Sequence, residues 1–500
     1  MRSKYKNMAE ERDDSYSHVL KYTGVFGGVQ GLNILVSLVR NKLTALLLGP
    51  GGMGLVSLFN TTVNFISQAT TFGISFSAVR HVSEYFDEND TQKSEHFVKV
   101  VRGWCLLTAL LGMLVCIVLG PFLSSHTFSW GDHTLHFVLL APAVGMIAIT
   151  GGETAILKGC RKLGALAYVQ VFSVIAALVI SVPAYYYFWE AGIVPVIVLM
   201  AFVTMCLTIR QSFRLFPFRL SGAKGILGEG MEMVRLGVAY TVAGIVGSAA
   251  EMFIRSYLNV YGDLDVLGLY NAGYMLTVTY AGMVFSAMET DYFPRLSAVQ
   301  HDVAATNDTV NRQMEVSLLL ISPMLAALII ALPILIPLLF STKFLPVIGM
   351  AQVAALAMYM KVLTLPVAYI TLARGYSLSY LFLETAYFVV LVGLMVVGYE
   401  QWGLFGTGVA ITLAHLFDYL LINGYAYKKY GYRFSATVSG YAIVQVALGL
   451  LAFILTQTAG GLLYWGVGTL VVLLSFSLSL HVLRRKTHLW SALTRKFRKH

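Results

Sequence analysis

The chain has 500 residues, 57% of them hydrophobic and only 12% charged, with a formal net charge of +10 at pH 7. Soluble domains carry about twice that share of charge, and a mean hydropathy of +0.72 excludes a soluble fold with a single anchor. The first twenty residues are polar and charged, so no cleavable signal peptide is expected and the first apolar run acts as its own insertion signal.

Apolar runs of about 20 residues, each enough to cross roughly 30 Å of hydrocarbon, recur from end to end. They predict an all-α polytopic membrane protein with fourteen spans, at 19–47, 52–84, 98–121, 135–158, 163–188, 192–210, 234–259, 266–291, 314–340, 345–372, 377–398, 403–427, 436–457 and 461–483. The connections are short. The longest, the basic and glycine-containing stretch at 210–230, divides the spans into two six-helix lobes plus two C-terminal helices. The expected organisation is a cytoplasmic segment 1–18, an N-lobe 19–210, a cytoplasmic linker 211–233, a C-lobe 234–427, spans thirteen and fourteen in 428–483, and a basic cytoplasmic tail 484–500.

Span one closes on SLVRNKLTALLLGPGG, residues 37–52, which puts Arg40 and Lys42 inside an otherwise apolar helix. A charge at membrane depth costs several kcal/mol even on insertion scales, which makes an intramembrane ion a functional candidate. Gln30, Asn33, Ser37, Arg40, Asn41 and Thr44 recur at three- and four-residue spacing and share one helix face. On span two Asn60, Asn64, Gln68, Thr71 and Ser75 do the same. All four cysteines, Cys105, Cys116, Cys160 and Cys206, lie in or beside spans three to six, with no CxxC pattern. They predict buried structural thiols rather than a metal site or a disulfide framework. On span seven Ser248, Glu251, Arg255 and Asn259 share a face, and Glu251 one turn before Arg255 makes a ready ion pair.

Span ten carries Lys361, and span eleven carries the stripe Ser377, Tyr380, Glu384 and Tyr387. Lys361 and Glu384 read equally as a neutralising pair or as a cation- or proton-coupling site, and Glu251 is a second coupling candidate. Glu153, His415 and Asp418 are read as packing or boundary residues. Pro142, Pro183, Pro323, Pro333, Pro337 and Pro366 lie within spans, each removing a helix hydrogen bond and permitting a bend. Polar stripes alone also serve as helix–helix glue. Several of them, carrying the intramembrane cations, favour a central aqueous cavity lined by Arg40, Arg255, Lys42, Asn33, Asn64, Gln68 and Lys361. Snorkelling is the competing reading for Arg40, nine residues or roughly 13 Å before the Gly49–Pro50 turn. Both cavity arginines are expected to contribute little to packing.

Orientation follows from the basic residues. With the N-terminus in the cytoplasm, thirty of the 35 Lys and Arg fall on the cytoplasmic side and one, Lys343, on the other, leaving Arg40, Lys42, Arg255 and Lys361 within spans. Both termini are therefore expected inside, and the tail RRKTHLWSALTRKFRKH reads as an anchor on anionic membrane lipid, not as a nucleic-acid site. A faint repeat supports two lobes of the same orientation. A shift of 214 residues lays GLVSLFN (54–60) on GLYNAGY (268–274), Lys21 on Arg235, and Arg40–Asn41 beside Arg255. Parallel lobes around a midplane site are a standard transporter plan.

The stretches NKLTALLLGPGGMGLVSLFN (41–60), AILKGCRK (155–162), LGLYNAGYMLTVTYAGMVFSAMETDYFPRLS (267–297) and FSTKF…YMKV…LARG…LETA (340–386) resemble the Wzx-type flippases for lipid-linked oligosaccharides, of the O-antigen and lipid III kind. These belong to the multidrug/oligosaccharidyl-lipid/polysaccharide (MOP) exporter superfamily. The resemblance covers about 420 residues. It implies a MATE-like alternating-access fold in the bacterial inner membrane. It also implies transfer of an undecaprenyl-pyrophosphate-linked glycan from the cytoplasmic to the periplasmic leaflet, with a glycan polymerase and glycosyltransferases as partners. Cavity cations on the first and seventh helices of such proteins are thought to meet the pyrophosphate, and Arg40 and Arg255 stand at those positions here. Two extra C-terminal spans set the chain apart from twelve-span relatives and leave the sugar open. A drug or cation exporter of the same superfamily is the alternative, and it would need anionic residues to dominate the cavity. A membrane-embedded glycan polymerase or ligase would need a larger outer face than the longest outer loop, 124–134, offers. No Walker A sequence occurs, so no nucleotide cofactor is expected and the energy must come from a gradient or from consumption of product.

Overall fold

The structure is a computed structural model that describes the backbone of residues 2–87, 91–127, 131–217 and 226–486. Among the described residues every regular element is helical: α1 (Arg2–Thr71), α2 (Ile74–Asp87), α3 (Thr91–Thr127), α4 (Thr134–Gly159), α5 (Leu163–Phe188), α6 (Ile193–Phe213), α7 (Ile226–Tyr261), α8 (Leu264–Tyr274), α9 (Tyr280–Ala298), α10 (Val303–Leu339), α11 (Ile348–Ala373), α12 (Ser377–Tyr430), α13 (Ala436–Thr458) and α14 (Gly461–Lys486). Nine helical segments of the described residues are long and apolar enough to cross a membrane. Three of them, Gly31–Thr71, Gly164–Phe213 and Ser377–Tyr430, each hold two of the expected spans. The joints fall at Gly49, at the 3-10 turn Trp189–Gly192 and at Trp402–Gly403. Spans seven and eight correspond to α7 and to α8–α9, which a π-helical turn at Met275–Thr279 connects. The basic tail beyond Lys486, the middle of the linker (218–225) and the side chains of segment 1–18 lie outside the described residues.

The chain divides into two compact units: Met1–Leu48 with Thr62–Thr241, and Gly49–Thr61 with Val242–His500. In the first, α2, α3 and α4 pack through Ile74, Ala78, Val82, Val98, Val101 and Ile156. Expected span two is not continuous. It breaks at Phe72 and Gly73, both at positive φ (49° and 65°), because a left-handed pair ends the α-helical ladder before Ile74 restarts it. Of the four expected buried thiols, Cys105, Cys116 and Cys160 are buried, but Cys206 lies on the exposed face of α6.

In the second unit α10 and α11 form the centre, with α12 on one side and α13–α14 on the other. Pro333 in α10 cannot donate to the Ile329 carbonyl four residues back, and the buried Gln352 of α11 donates to that oxygen at 3.3 Å instead. The two C-terminal helices are joined by a buried polar clamp: Ser475 Oγ donates to Gln445 Oε1 at 2.6 Å, and Gln445 Nε2 to Ser479 Oγ at 3.0 Å. Asn311 Nδ2 donates to the Arg433 carbonyl at 2.9 Å, and its Oδ1 accepts from the Ser435 amide at 2.9 Å, fixing the turn between α12 and α13.

The segment Gly49–Thr61 shows the repeat in three dimensions. A Cβ on Gly54 would run into the Leu264 carbonyl, and one on Gly268 into the Pro50 carbonyl. Under the 214-residue shift Gly54 corresponds to Gly268 and Pro50 to Leu264, so the contact is reciprocal. Ser57 Oγ donates to Asn271 Oδ1 at 2.9 Å, and these two are also repeat equivalents. Repeat equivalents thus meet each other within the second unit, in the reciprocal pattern of a self-complementary contact.

Candidate functional site

Arg255 anchors the polar centre of the second unit. It sits on α7, is 6% exposed, and is held by three elements. Its Nε donates to Ser57 Oγ on α1 at 3.0 Å, which in turn donates to Asn271 on α8. Its Nη1 pairs with Glu251 one turn earlier at 3.1 Å, and its guanidinium lies 5.5 Å from the Tyr274 ring. Glu251 itself is 43% exposed at the side chain, so the pair has one buried and one accessible end. This overturns the expectation that Arg255 contributes little to packing: as a buried cation it ties α1, α7 and α8 together. Asn259, one turn further along the stripe, is fully buried.

A second group lies between α11 and α12. Lys361 is half-buried and acts electrostatically on Glu384, His415 and Asp418. The His415 ring nitrogen Nδ1 stands 2.9 Å from the Ile411 carbonyl and 3.5 Å from the Tyr387 hydroxyl. Tyr387 is within electrostatic reach of Glu384, Asp418, Tyr270 and Tyr274. The sequence paired Lys361 with Glu384. It did not bring in His415 and Asp418, because they sit on the far half of α12, across the Trp402–Gly403 kink.

In the first unit Arg40 is half-buried near the middle of a membrane-length helix. Its side chain makes no hydrogen bond or ion pair among the described residues, and it acts electrostatically on the Tyr185 hydroxyl. Asn33 and Lys42 are half-buried as well, and Lys42 is not a free charge. Asn64 and Gln68 are exposed near the C-terminal end of α1. The structure therefore brings Arg255 and Glu251 together, and Lys361 and Glu384 together, and shows Arg40, Lys42, Asn33, Asn64 and Gln68 at accessible positions on α1.

One ion pair escaped the sequence reading. Arg102 was counted with the cytoplasmic loop charges, but it is 7% exposed on α3 and grips Glu153 of α4, itself 4% exposed, with Nε at 2.8 Å and Nη2 at 3.2 Å. Nη1 donates to the Phe216 carbonyl at 2.9 Å, and the guanidinium lies 4.4 Å from the Phe213 ring. The pair borders a mostly apolar cavity of about 200 Å³ with Leu106, Ile149, Met205 and Ile209. No periodicity links residues 51 positions apart; the usable signal was two lone ionisable residues on neighbouring spans.

No curated protein matches the sequence. Among solved structures the chain is similar to a lipid II flippase, MurJ, in an inward closed conformation, with TM-score 0.70 and 13% identity over 93% of this chain and 99% of that one. It is similar to an inward-facing multidrug resistance MATE family transporter of the MOP superfamily, with TM-score 0.66 and 15% identity over 80% and 94%. It is also similar to a MOP superfamily transporter from Pyrococcus furiosus described as having a binding pocket of reversed polarity, with TM-score 0.60 and 14% identity over 82% and 96%. At such identities the likeness establishes the fold, an all-α MOP-type transporter fold. The family model described as "Polysaccharide biosynthesis protein" matches residues 19–300, more than half of the chain, and the chain is a multi-pass membrane member of that family.

Proposed function

We propose that the protein is a flippase that carries a polyprenyl-pyrophosphate-linked oligosaccharide, a repeat unit of O-antigen type or a related surface glycan, across the bacterial inner membrane by alternating access. Arg40 carries the reading. It is a guanidinium inside a membrane-crossing helix, half-buried, with five N–H donors and no hydrogen-bond or ion-pair partner among the described residues. A permanent cation kept there at a cost of several kcal/mol calls for an anion, and a planar fork matches the oxygens of a pyrophosphate. Lys42 lies two residues further along the same helix, and the second unit holds cations of its own, Lys361 and the buried Arg255 with its accessible counter-ion Glu251. Asn33, Asn64 and Gln68 offer neutral donors and acceptors to the glycan.

Glu384 and Asp418 beside Lys361 favour a second role, coupling to a proton or cation gradient, and they are also the observation that keeps a cation exporter in play. The distribution of Lys and Arg supports a topology with both termini in the cytoplasm. The test is complementation of a flippase-deficient host. Arg40→Ala should abolish surface glycan at normal protein levels, and Arg40→Lys should retain part of it, because the charge survives and the fork does not. Full display with Arg40→Ala, or cation extrusion without glycan display, would replace the flippase with the exporter.

A further inference from the structure

The geometry points to a binding site for the headgroup of an anionic phospholipid where α11 ends and α12 both begins and ends. Arg374 caps α11, and its guanidinium lies 4.9 Å from the centre of the Tyr430 ring. That ring contact is the only side-chain interaction Arg374 makes among the described residues, and its Nε is shielded from water with no acceptor. A shielded, unsatisfied guanidinium N–H is rare and calls for an explanation. Lys429 stands 4.7 Å from the Tyr376 ring, and the Tyr376 and Tyr430 rings stack at 6.0 Å. Two cations thus lie over a pair of adjoining rings.

The Lys429 ammonium is held in place rather than waving free. It donates to Tyr425 Oη at 2.8 Å and to Ser379 Oγ at 3.3 Å, while the Tyr425 hydroxyl donates to Ser379 Oγ at 2.6 Å. Two of its three donors are used, and no third acceptor stands among the described residues. Residues 372–380 and 425–435 contain Arg374, Lys428, Lys429 and Arg433 and no Asp or Glu, so neither stretch carries a carboxylate of its own. An exposed tyrosine, Tyr376, beside a buried one, Tyr430, with cations at the end of membrane-crossing helices is an arrangement that meets phosphate at the bilayer surface. The two cations sit on separate rings instead of converging on one point. That spread suits a phosphodiester with its glycerol hydroxyls better than a compact inorganic anion.

The test uses the purified full chain and native mass spectrometry. The probes are palmitoyl-oleoyl-phosphatidylglycerol, phosphatidylcholine with the same chains, farnesyl pyrophosphate and inorganic phosphate. Phosphatidylglycerol should bind at least tenfold more tightly than phosphatidylcholine. Arg374→Gln and Lys429→Gln should each reduce its affinity about tenfold. Lys429 is exposed, so its variant reports even if Arg374→Gln fails to fold, and Tyr376→Leu should give a smaller loss with both charges in place. Equal binding of the two phospholipids, or unchanged affinity in the Lys429 variant, would overturn the site. Displacement by inorganic phosphate at the same concentration would make it a soluble-anion site, and displacement by a tenth as much farnesyl pyrophosphate would make it a carrier site. Either result overturns the phospholipid assignment.

Discussion

Arg255 separates a structural role from a ligand role by its energetics. Replacing it with Ala removes the hydrogen bond to Ser57 and the partner of Glu251, and leaves a void among α1, α7 and α8. Removing one member of a fully buried ion pair costs about 3–5 kcal/mol, because the other charge is stranded. Here the stranded group is Glu251, which is 43% exposed and can be rehydrated, so the penalty is smaller. Ser57 keeps its bond to Asn271 and is not orphaned. The remaining loss, one charge-assisted hydrogen bond and the packing of a long side chain, comes to about 2 kcal/mol. The reverse substitution, Glu251→Gln, strands the buried Arg255 and should cost at least as much. The assay is thermal unfolding in detergent, followed by gel filtration of a fluorescent fusion. Arg255→Ala and Glu251→Gln should both melt several degrees below the parent, while Arg40→Ala, which breaks no bond among the described residues, should melt with it. Parent-like melting of both Arg255→Ala and Glu251→Gln would refute the structural role assigned to this pair.

Three further outcomes are expected. Arg102→Ala strands Glu153 in a buried setting and should destabilise the first unit by about 3–5 kcal/mol, whereas the double change Arg102→Met with Glu153→Leu should recover most of that in the same melting assay. Gly268→Leu should sharply lower the yield of folded protein, because the side chain meets the Pro50 carbonyl; the same change at the open Gly282 should leave the gel-filtration profile unaltered. In a background with the exposed Cys206 replaced, a cysteine at Thr342 should react with an impermeant thiol reagent from outside intact cells and one at Lys428 should not. Reversed labelling would discard the orientation.

Helix positions were legible in the sequence because an apolar run long enough to span a bilayer has few other fates, and the α-helical pattern with joints at Gly49 and Trp402–Gly403 follows it closely. The Glu251–Arg255 pair was legible for the same local reason, since one turn of helix brings the two side chains together. What was hidden is non-local. The sequence marked Ser57 and Asn271 only as members of matching repeat segments; their contact depends on the Gly54–Gly268 crossing. Arg102 looked like a loop charge because it lies near the start of an apolar run. Burial came from Glu153, which sits 51 residues away. His415 and Asp418 joined Lys361 and Glu384 only once α12 had folded back at its kink.

The most direct test of the central claim is transfer in proteoliposomes that contain only the purified protein and a fluorescent polyprenyl-pyrophosphate-linked disaccharide. Movement is read as the fraction of label that an added impermeant reagent can reach over time. The account predicts transfer by the parent protein, strong loss with Arg40→Ala at equal reconstitution, and partial transfer with Arg40→Lys. Transfer by Arg40→Ala at the parent rate would contradict it, and so would a parent protein that leaves the lipid-linked disaccharide in its original leaflet.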